Sequence, residues 1–262
     1  MADPAGAAFF DLDKTLIEGS SAVHFGRAAY RAGLVSRRQL AGDVWANVRF
    51  RLSGSTDEKS EELKQRVLEA ISGQRVVDLA RLGPEVLTGI LPLLYREVLA
   101  EAYAHQDAGR PVFIVTAASQ ELAEVLAHVL VLDGGVGMRS EVRDGVYTGR
   151  SAGPFTYREG KADAIRQLAV ERGLDLSESY AYSDSESDLP MLRAVGHPVA
   201  VNPDSTLERV AREQGWRIMR FDKLGRRLKV AGVAGAVALV GGGGGYVAAR
   251  VRPRPRRRLR RA

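Results

Sequence analysis

An apolar run, Ala7-Ala8-Phe9-Phe10, stops abruptly at two acidic residues, Asp11 and Asp13. Four to eight apolar residues closed by polar ones read as a buried strand. In an open parallel sheet, ligands bind beyond the carboxyl ends of such strands. Asp11 and Asp13 are therefore expected at the mouth of a site. Carboxylates that close resist being ionised together unless a cation lies between them. The alternative is that Asp11 merely opens a turn.

The same pattern recurs twice. Val112-Phe-Ile-Val115 is an apolar, β-branched run leading into Thr116, with a helix expected from about Ser119 to Leu130. Tyr180-Ala-Tyr182 reads as a strand ending at Ser183-Asp184, with Asp188 one turn on. Val199-Ala200-Val201 reads as a further strand. Asp144-Gly145 between Val142 and Val146-Tyr147 is a hairpin signal. Residues 21–108 read as helical almost throughout. Ser55-Thr-Asp-Glu58 forms a capping box, and Leu63, Val67, Leu68 and Ile71 follow at helical spacing before Gly73. A second helix is read from Leu93 to His105, and another from Lys161 to Arg172, stopped by Gly173. Strands alternating with helices imply right-handed βαβ units. The expected architecture is α/β: a doubly wound parallel sheet with a helical insertion after its first strand.

If the three strands are neighbours, their polar ends converge. Asp11, Asp13, Asp184 and Asp188 in one crevice need a divalent ion, and all-oxygen ligands suit Mg²⁺. Lys161 opens a helix, where the dipole disfavours a cation; beside Gly160 and the helix amides it makes an anion pocket. The backbone amides of Ala117 and its neighbours, with the Thr116 hydroxyl, are placed to hold a phosphate oxygen. Each feature has a plainer reading: a solvated lysine, a hydroxyl that caps the next helix, an acidic turn before Pro190. All four together, in this order, carry the inference.

With these residues in hand, the chain resembles the haloacid dehalogenase (HAD) superfamily of phosphohydrolases. The motifs are Asp11-Leu-Asp13-Lys-Thr15, Phe113-Ile-Val-Thr116, Gly160-Lys161-Ala-Asp, and Ser183-Asp184-Ser-Glu-Ser-Asp188. Similarity covers residues 6–222. The helical insertion and the Asp144-Gly145 hairpin resemble the phosphoserine phosphatase-like branch, subfamily IB. The resemblance implies a core over 6–16 and 111–222 and a helical cap over 17–110. It implies Asp11 as nucleophile, forming an aspartyl-phosphate, and Asp13 as general acid and then base. Thr116, Ala117 and Lys161 would hold the phosphoryl group. Asp11, Asp184 and the backbone carbonyl of Asp13 would bind Mg²⁺, with Asp188 in support. Phosphoserine phosphatases usually carry a glutamate nine residues after the nucleophile, where it meets the substrate amino group. Here that residue is Ser20. Lys14 stands where a small residue is usual, and Arg49 and Arg51 in the cap could hold a second anionic group.

The expected activity is hydrolysis of a small phosphorylated metabolite. A membrane-associated phospholipid or lysophospholipid phosphatase, or a non-catalytic phosphate-binding protein, is the alternative. The absence of cysteine excludes thiolate zinc sites, disulfides and cysteine nucleophiles, and no pair among the four histidines has zinc-motif spacing. The net charge of +6 hides two regions. From Lys223 onward there are twelve Lys plus Arg and no acid, so residues 1–222 hold 26 basic against 32 acidic residues. The body is therefore not expected to bind nucleic acid. Within the tail, 230–249 is an uncharged Gly/Ala/Val segment followed by eight arginines. It is long enough to cross a bilayer but rich in glycine. A flexible or surface-lying tail meeting anionic lipid is expected, with a polyanion such as RNA, or no partner, as alternatives. The first residues carry no secretory pattern, so a cytoplasmic location, at a membrane surface if the tail binds one, is expected.

Overall fold

The computed structural model describes residues 5–35 and 57–221. The Ser55 capping residue, Arg49, Arg51 and the tail segment 230–249 lie outside them. In chain order the elements are β1 (Ala8–Phe10), α1 (Ser21–Arg31), α2 (Asp57–Ile71), α3 (Val76–Ala80), α4 (Gly83–Ile90), α5 (Arg96–Asp107), β2 (Val112–Ser119) and α6 (Gln120–Val129). There follow β3 (Gly134–Met138), β4 (Ser140–Arg143), β5 (Val146–Ser151), α7 (Glu159–Arg172), β6 (Tyr180–Ser183), α8 (Leu189–Arg193), β7 (His197–Val201), α9 (Ser205–Glu213) and β8 (Arg217–Met219).

Among the described residues, six strands form one parallel sheet in the order β3-β2-β1-β6-β7-β8. The chain builds outward from β1 to β3, then crosses back to β6 on the other side of β1. That reversal is a topological switch point, and the crevice it opens is where ligands settle in such sheets. Register makes the strand ends level: Phe10 is opposite both Ile114 and Tyr182. One step further, the Asp11 N–H donates to the Tyr182 carbonyl at 3.0 Å. Asp11 and Asp184 thus leave the sheet at its carboxyl edge, beside Thr116 of β2, where the β2–β3 pairing shifts register.

β1 is buried on both faces, as its unbroken apolar run requires. Successive side chains point to opposite faces. Phe9 stacks on Phe113 at 5.9 Å and joins Val115, Ile165, Met191 and Leu207 in one core. Phe10 faces the other way, stacked on Tyr182 at 4.2 Å and edge-on to His105 of α5. Full burial of each ring contributes roughly 1.5–3 kcal/mol.

The helical insertion is where the sequence places it, between β1 and β2. The chain leaves at Ile17 and returns at Leu94, where the two segments form an antiparallel bridge. The Glu18 N–H donates to Leu93 O, and the Tyr95 N–H to Leu16 O. The helix expected from Leu93 starts at Arg96, after a 3₁₀ turn over Leu91–Leu93. This helix, α5, buries Val98, Ala102 and His105, and His105 meets Phe10 and Tyr182 of the sheet. These contacts pack α5 against the sheet. The Asp144-Gly145 turn closes the β4–β5 hairpin as expected, pairing Arg143 with Val146. The hairpin joins the insert: Val76 N–H donates to Gly145 O and Tyr147 N–H to Gln74 O, both at 2.9 Å. No helix among the described residues is long and apolar enough to cross a membrane.

Two strands escaped the sequence reading. β8 is short and partly exposed. β3 is Gly-Gly-Val-Gly-Met, and glycine weakens a strand pattern. Those glycines have a packing reason. A Cβ at Gly135 would collide with the backbone of Ala123 in α6, and one at Gly137 would come within 2.7 Å of Ser119.

Candidate active site

Asp11 extends from the end of β1 into the switch-point crevice and is only 6% exposed. The chain then turns tightly: Leu16 N–H donates to Leu12 O and Ile17 N–H to Leu12 O, both at 3.0 Å. This turn brings Thr15 back, and its hydroxyl donates to Asp11 Oδ2 at 3.2 Å. The threonine of the first motif thus orients the aspartate.

Lys161 reaches the same place from α7. It lies on the buried stripe of that helix with Ala162, Ile165 and Ala169, so the packing that seats α7 on the sheet aims the lysine inward. Gly160 permits this seating, because a Cβ there would run into the Phe155 carbonyl. The Lys161 ammonium, 3% exposed, donates to Asp11 Oδ1 at 2.6 Å and to Asp188 Oδ2 at 2.7 Å. The Ser183 hydroxyl at the end of β6 donates to the same Asp188 oxygen at 2.7 Å. Asp188 is 1% exposed, and its Oδ1 is buried without a hydrogen-bond partner.

Asp184 completes the acidic wall. It is 7% exposed, with the Lys14 ammonium 3.6 Å from Oδ2. Its backbone carbonyl accepts from Asp204 N–H, and the Asp204 carboxylate accepts from Glu186 N–H and Leu207 N–H. Asp204, absent from the expected site, therefore braces the loop that presents Asp184 and Asp188. Its signal was local: an aspartate at the N-cap of a helix. Glu186, between the two acids, is half-buried.

The hydrogen bonds given for Thr116 and the Asp13 side chain go to groups outside the Asp11–Lys161–Asp188 cluster. Ser119 caps α6, accepting from Leu122 N–H at 3.3 Å, which leaves Thr116 out of that role. The Thr116 hydroxyl accepts from Ala118 N–H at 3.1 Å. The β2–β3 ladder shifts register between Val115 and Ser119, and this irregularity takes Ala117 out of regular pairing. The Asp13 side chain turns toward α1, where it accepts from the Ser20 hydroxyl at 2.9 Å and the Ser21 N–H at 2.8 Å.

The electrostatics are those of a site with too much buried negative charge. Burial pushes the Asp11 carboxyl up to about 8; Lys161 opposes the rise, and Asp188 and Asp184 add to it. Burial also lifts Asp184 to about 6, against the pull of Lys14. Burial alone would lower the Lys161 ammonium, but Asp11 and Asp188 hold it above the usual lysine range. Three buried carboxylates face one buried ammonium, so a further cation would be stabilised here. The unpartnered Asp188 oxygen has the same implication. Among the described residues no three acidic or histidine side chains gather as a complete ligand set. The donors in this buried acidic cluster are all oxygen, the kind that suits Mg²⁺, an ion that takes few protein ligands and keeps its own waters.

Residues 8–193 match the family of haloacid dehalogenase-like hydrolases. The chain belongs to that family. HAD-type hydrolases closely related to it include phosphoserine phosphatase SerB1 of Mycobacterium tuberculosis (strain ATCC 25618 / H37Rv). That relative is 40% identical over 259 residues, 94% of this chain and 80% of its own. Histidinol-phosphatase of Neisseria meningitidis serogroup C (strain 8013) is 31% identical over 231 residues, 82% of this chain and 98% of its own. Among solved structures, a Bordetella pertussis Tohama I protein of unknown function aligns with a TM-score of 0.72 at 29% identity, covering 82% of this chain and 98% of that one. Family, sheet order and inserted cap make this chain an enzyme of the HAD phosphatase type, on the phosphoserine phosphatase-like branch.

Proposed function

We propose that the protein hydrolyses a small phosphorylated metabolite with Mg²⁺, through a phosphoryl group carried on Asp11. The observation that carries this reading is the buried cluster of Asp11, Lys161 and Asp188, with Asp184 beside it. Asp11 and Asp184, with the backbone carbonyl of Asp13, would hold the ion, and Asp188 would support them. Bound there, Mg²⁺ would neutralise charge on the phosphoryl oxygens and on the acids around them.

The protein groups divide the remaining work. The Asp11 carboxylate attacks phosphorus, and the bond to the leaving oxygen breaks. Asp13, in its acid form, gives that oxygen a proton. Asp13, now a carboxylate, takes a proton from the water that attacks the phosphoryl group on Asp11. Phosphate leaves, and both acids return to their starting states. Lys161, the Thr116 hydroxyl and the Ala117 N–H would hold the transferring oxygens. Lys161 also opposes the rise that burial imposes on Asp11, and a cation bound beside it would add to that pull toward the carboxylate that attack requires.

Relatives named for phosphoserine and for histidinol phosphate indicate that the fold accepts more than one small leaving group. Purified protein assayed on p-nitrophenyl phosphate, with Mg²⁺ and with EDTA, tests the reading. Mg²⁺-dependent turnover is expected; binding of phosphate without turnover would favour a non-catalytic phosphate binder. The tail favours a second, additive reading. Its twelve basic residues without an acid would hold a cytoplasmic enzyme at an anionic membrane surface, and a phosphorylated lipid would then be within reach.

A further inference from the structure

Ser20 sits at the N-cap position of α1, with extended backbone at φ −130° and ψ 127°. A serine there ordinarily turns its hydroxyl onto an amide of the first helical turn. Ser20 makes no such bond. Its hydroxyl donates instead to Asp13 Oδ2 at 2.9 Å, while the N–H of Ser21, the first residue of α1, donates to Asp13 Oδ1 at 2.8 Å. The first turn of α1 contains no acid of its own. Asp13 therefore reaches from the core to the start of the first cap helix and is clasped there by two donors of different kinds.

The difference between the donors matters. A backbone N–H can only donate, so Oδ1 must remain an acceptor whatever the state of Asp13. A serine hydroxyl rotates and can donate or accept. The clasp thus fixes both oxygens of Asp13, one to the backbone of α1 and the other to a side chain that substitution can remove. Ser20 and Ser21 are both nearly fully buried, so water does not readily replace them.

We infer that Ser20 is a positioning residue for Asp13, holding its carboxyl group in one orientation at the start of α1. This rests on the assignment of Asp13 as general acid and base. The consequence is specific. Loss of the Ser20 hydroxyl harms proton delivery to the leaving oxygen, and leaves phosphate binding as it was.

The test compares two leaving groups in the first-turnover burst. p-Nitrophenolate departs with little protonation, whereas an alkoxide needs it. Ser20→Ala is expected to slow the burst on an alkyl phosphomonoester about tenfold or more. The burst on p-nitrophenyl phosphate should slow by less than about threefold, with KM for both unchanged. Ser20→Thr, which keeps the hydroxyl, should recover most of the lost rate. Where Ser20→Ala fails to fold, Ser20→Gly, a tolerated N-cap without a hydroxyl, should show the same selective slowing on the alkyl substrate. Equal slowing on both substrates, or none, would overturn the role of Ser20. Absence of turnover in the unaltered protein on either substrate would instead overturn the proposed activity.

Discussion

The Lys161 ammonium and the Asp11 carboxylate meet at 2.6 Å across 150 positions of sequence, both almost wholly out of water. Such a pair is not primarily a source of stability, because desolvation offsets most of the attraction. Removing one partner is another matter. Lys161→Met leaves Asp11 and Asp188 buried with no counter-charge, a change that typically costs about 3–5 kcal/mol. Urea titration of the variant without metal should show a loss of this order. Added Mg²⁺ should return part of it, since an ion bound only by the folded state stabilises that state. A variant as stable as the parent in EDTA would contradict this charge balance.

Asp11→Asn retains the shape and an oxygen for Lys161 while removing the nucleophile. Turnover is expected to fall to background, with an unchanged far-ultraviolet circular dichroism spectrum. Substantial residual turnover would take the nucleophilic role away from Asp11.

A buried network on the opposite face predicts a pH dependence. The Arg110 Nε–H donates to His105 Nδ1 at 2.8 Å. Arginine cannot accept, so Nδ1 is unprotonated, and the neutral ring donates from Nε2 to the Tyr182 hydroxyl at 2.8 Å. Tyr182 in turn donates to Glu101, which pairs with Arg217. Burial, helped by Arg110, lowers His105 to about 4. Between pH 6.5 and 4 the unfolded chain therefore binds more protons at this site than the folded one. The stability contributed by neutral His105 is present above about 6.5 and is lost as the pH falls toward 4. Denaturant midpoints followed across that window should decline, and His105→Gln should flatten the decline. An unchanged slope in the variant would assign the acid sensitivity to other groups.

Gly135→Ala forces a methyl into the backbone of α6. Overpacking of this kind costs about 1–3 kcal/mol, readable by chemical denaturation. A neutral effect would mean that β3 and α6 can separate without loss.

Truncation after residue 222 should leave turnover of a soluble substrate intact and abolish flotation with vesicles rich in phosphatidylserine. Loss of turnover would place the tail in the catalytic fold, and flotation without it would place lipid binding in the body.

Local chemistry in the chain was sufficient for much of this. The apolar runs ending at Asp11, Thr116 and Asp184, the Asp144-Gly145 turn and the Gly173 stop are written in periods of a few residues. Such signals act before any distant contact forms. They determined four of the six strands of the sheet, β1, β2, β6 and β7, and the polar residues that follow their apolar runs. Tertiary structure alone decided the rest. It set β3 as a strand despite three glycines, because α6 needs room there. It laid α5 against the sheet, because His105 finds Tyr182. It diverted Ser20 from its helix to Asp13 and drew Asp204 under the acidic loop. Each of these depends on which surface meets which once the sheet has formed, and no spacing along the chain encodes that.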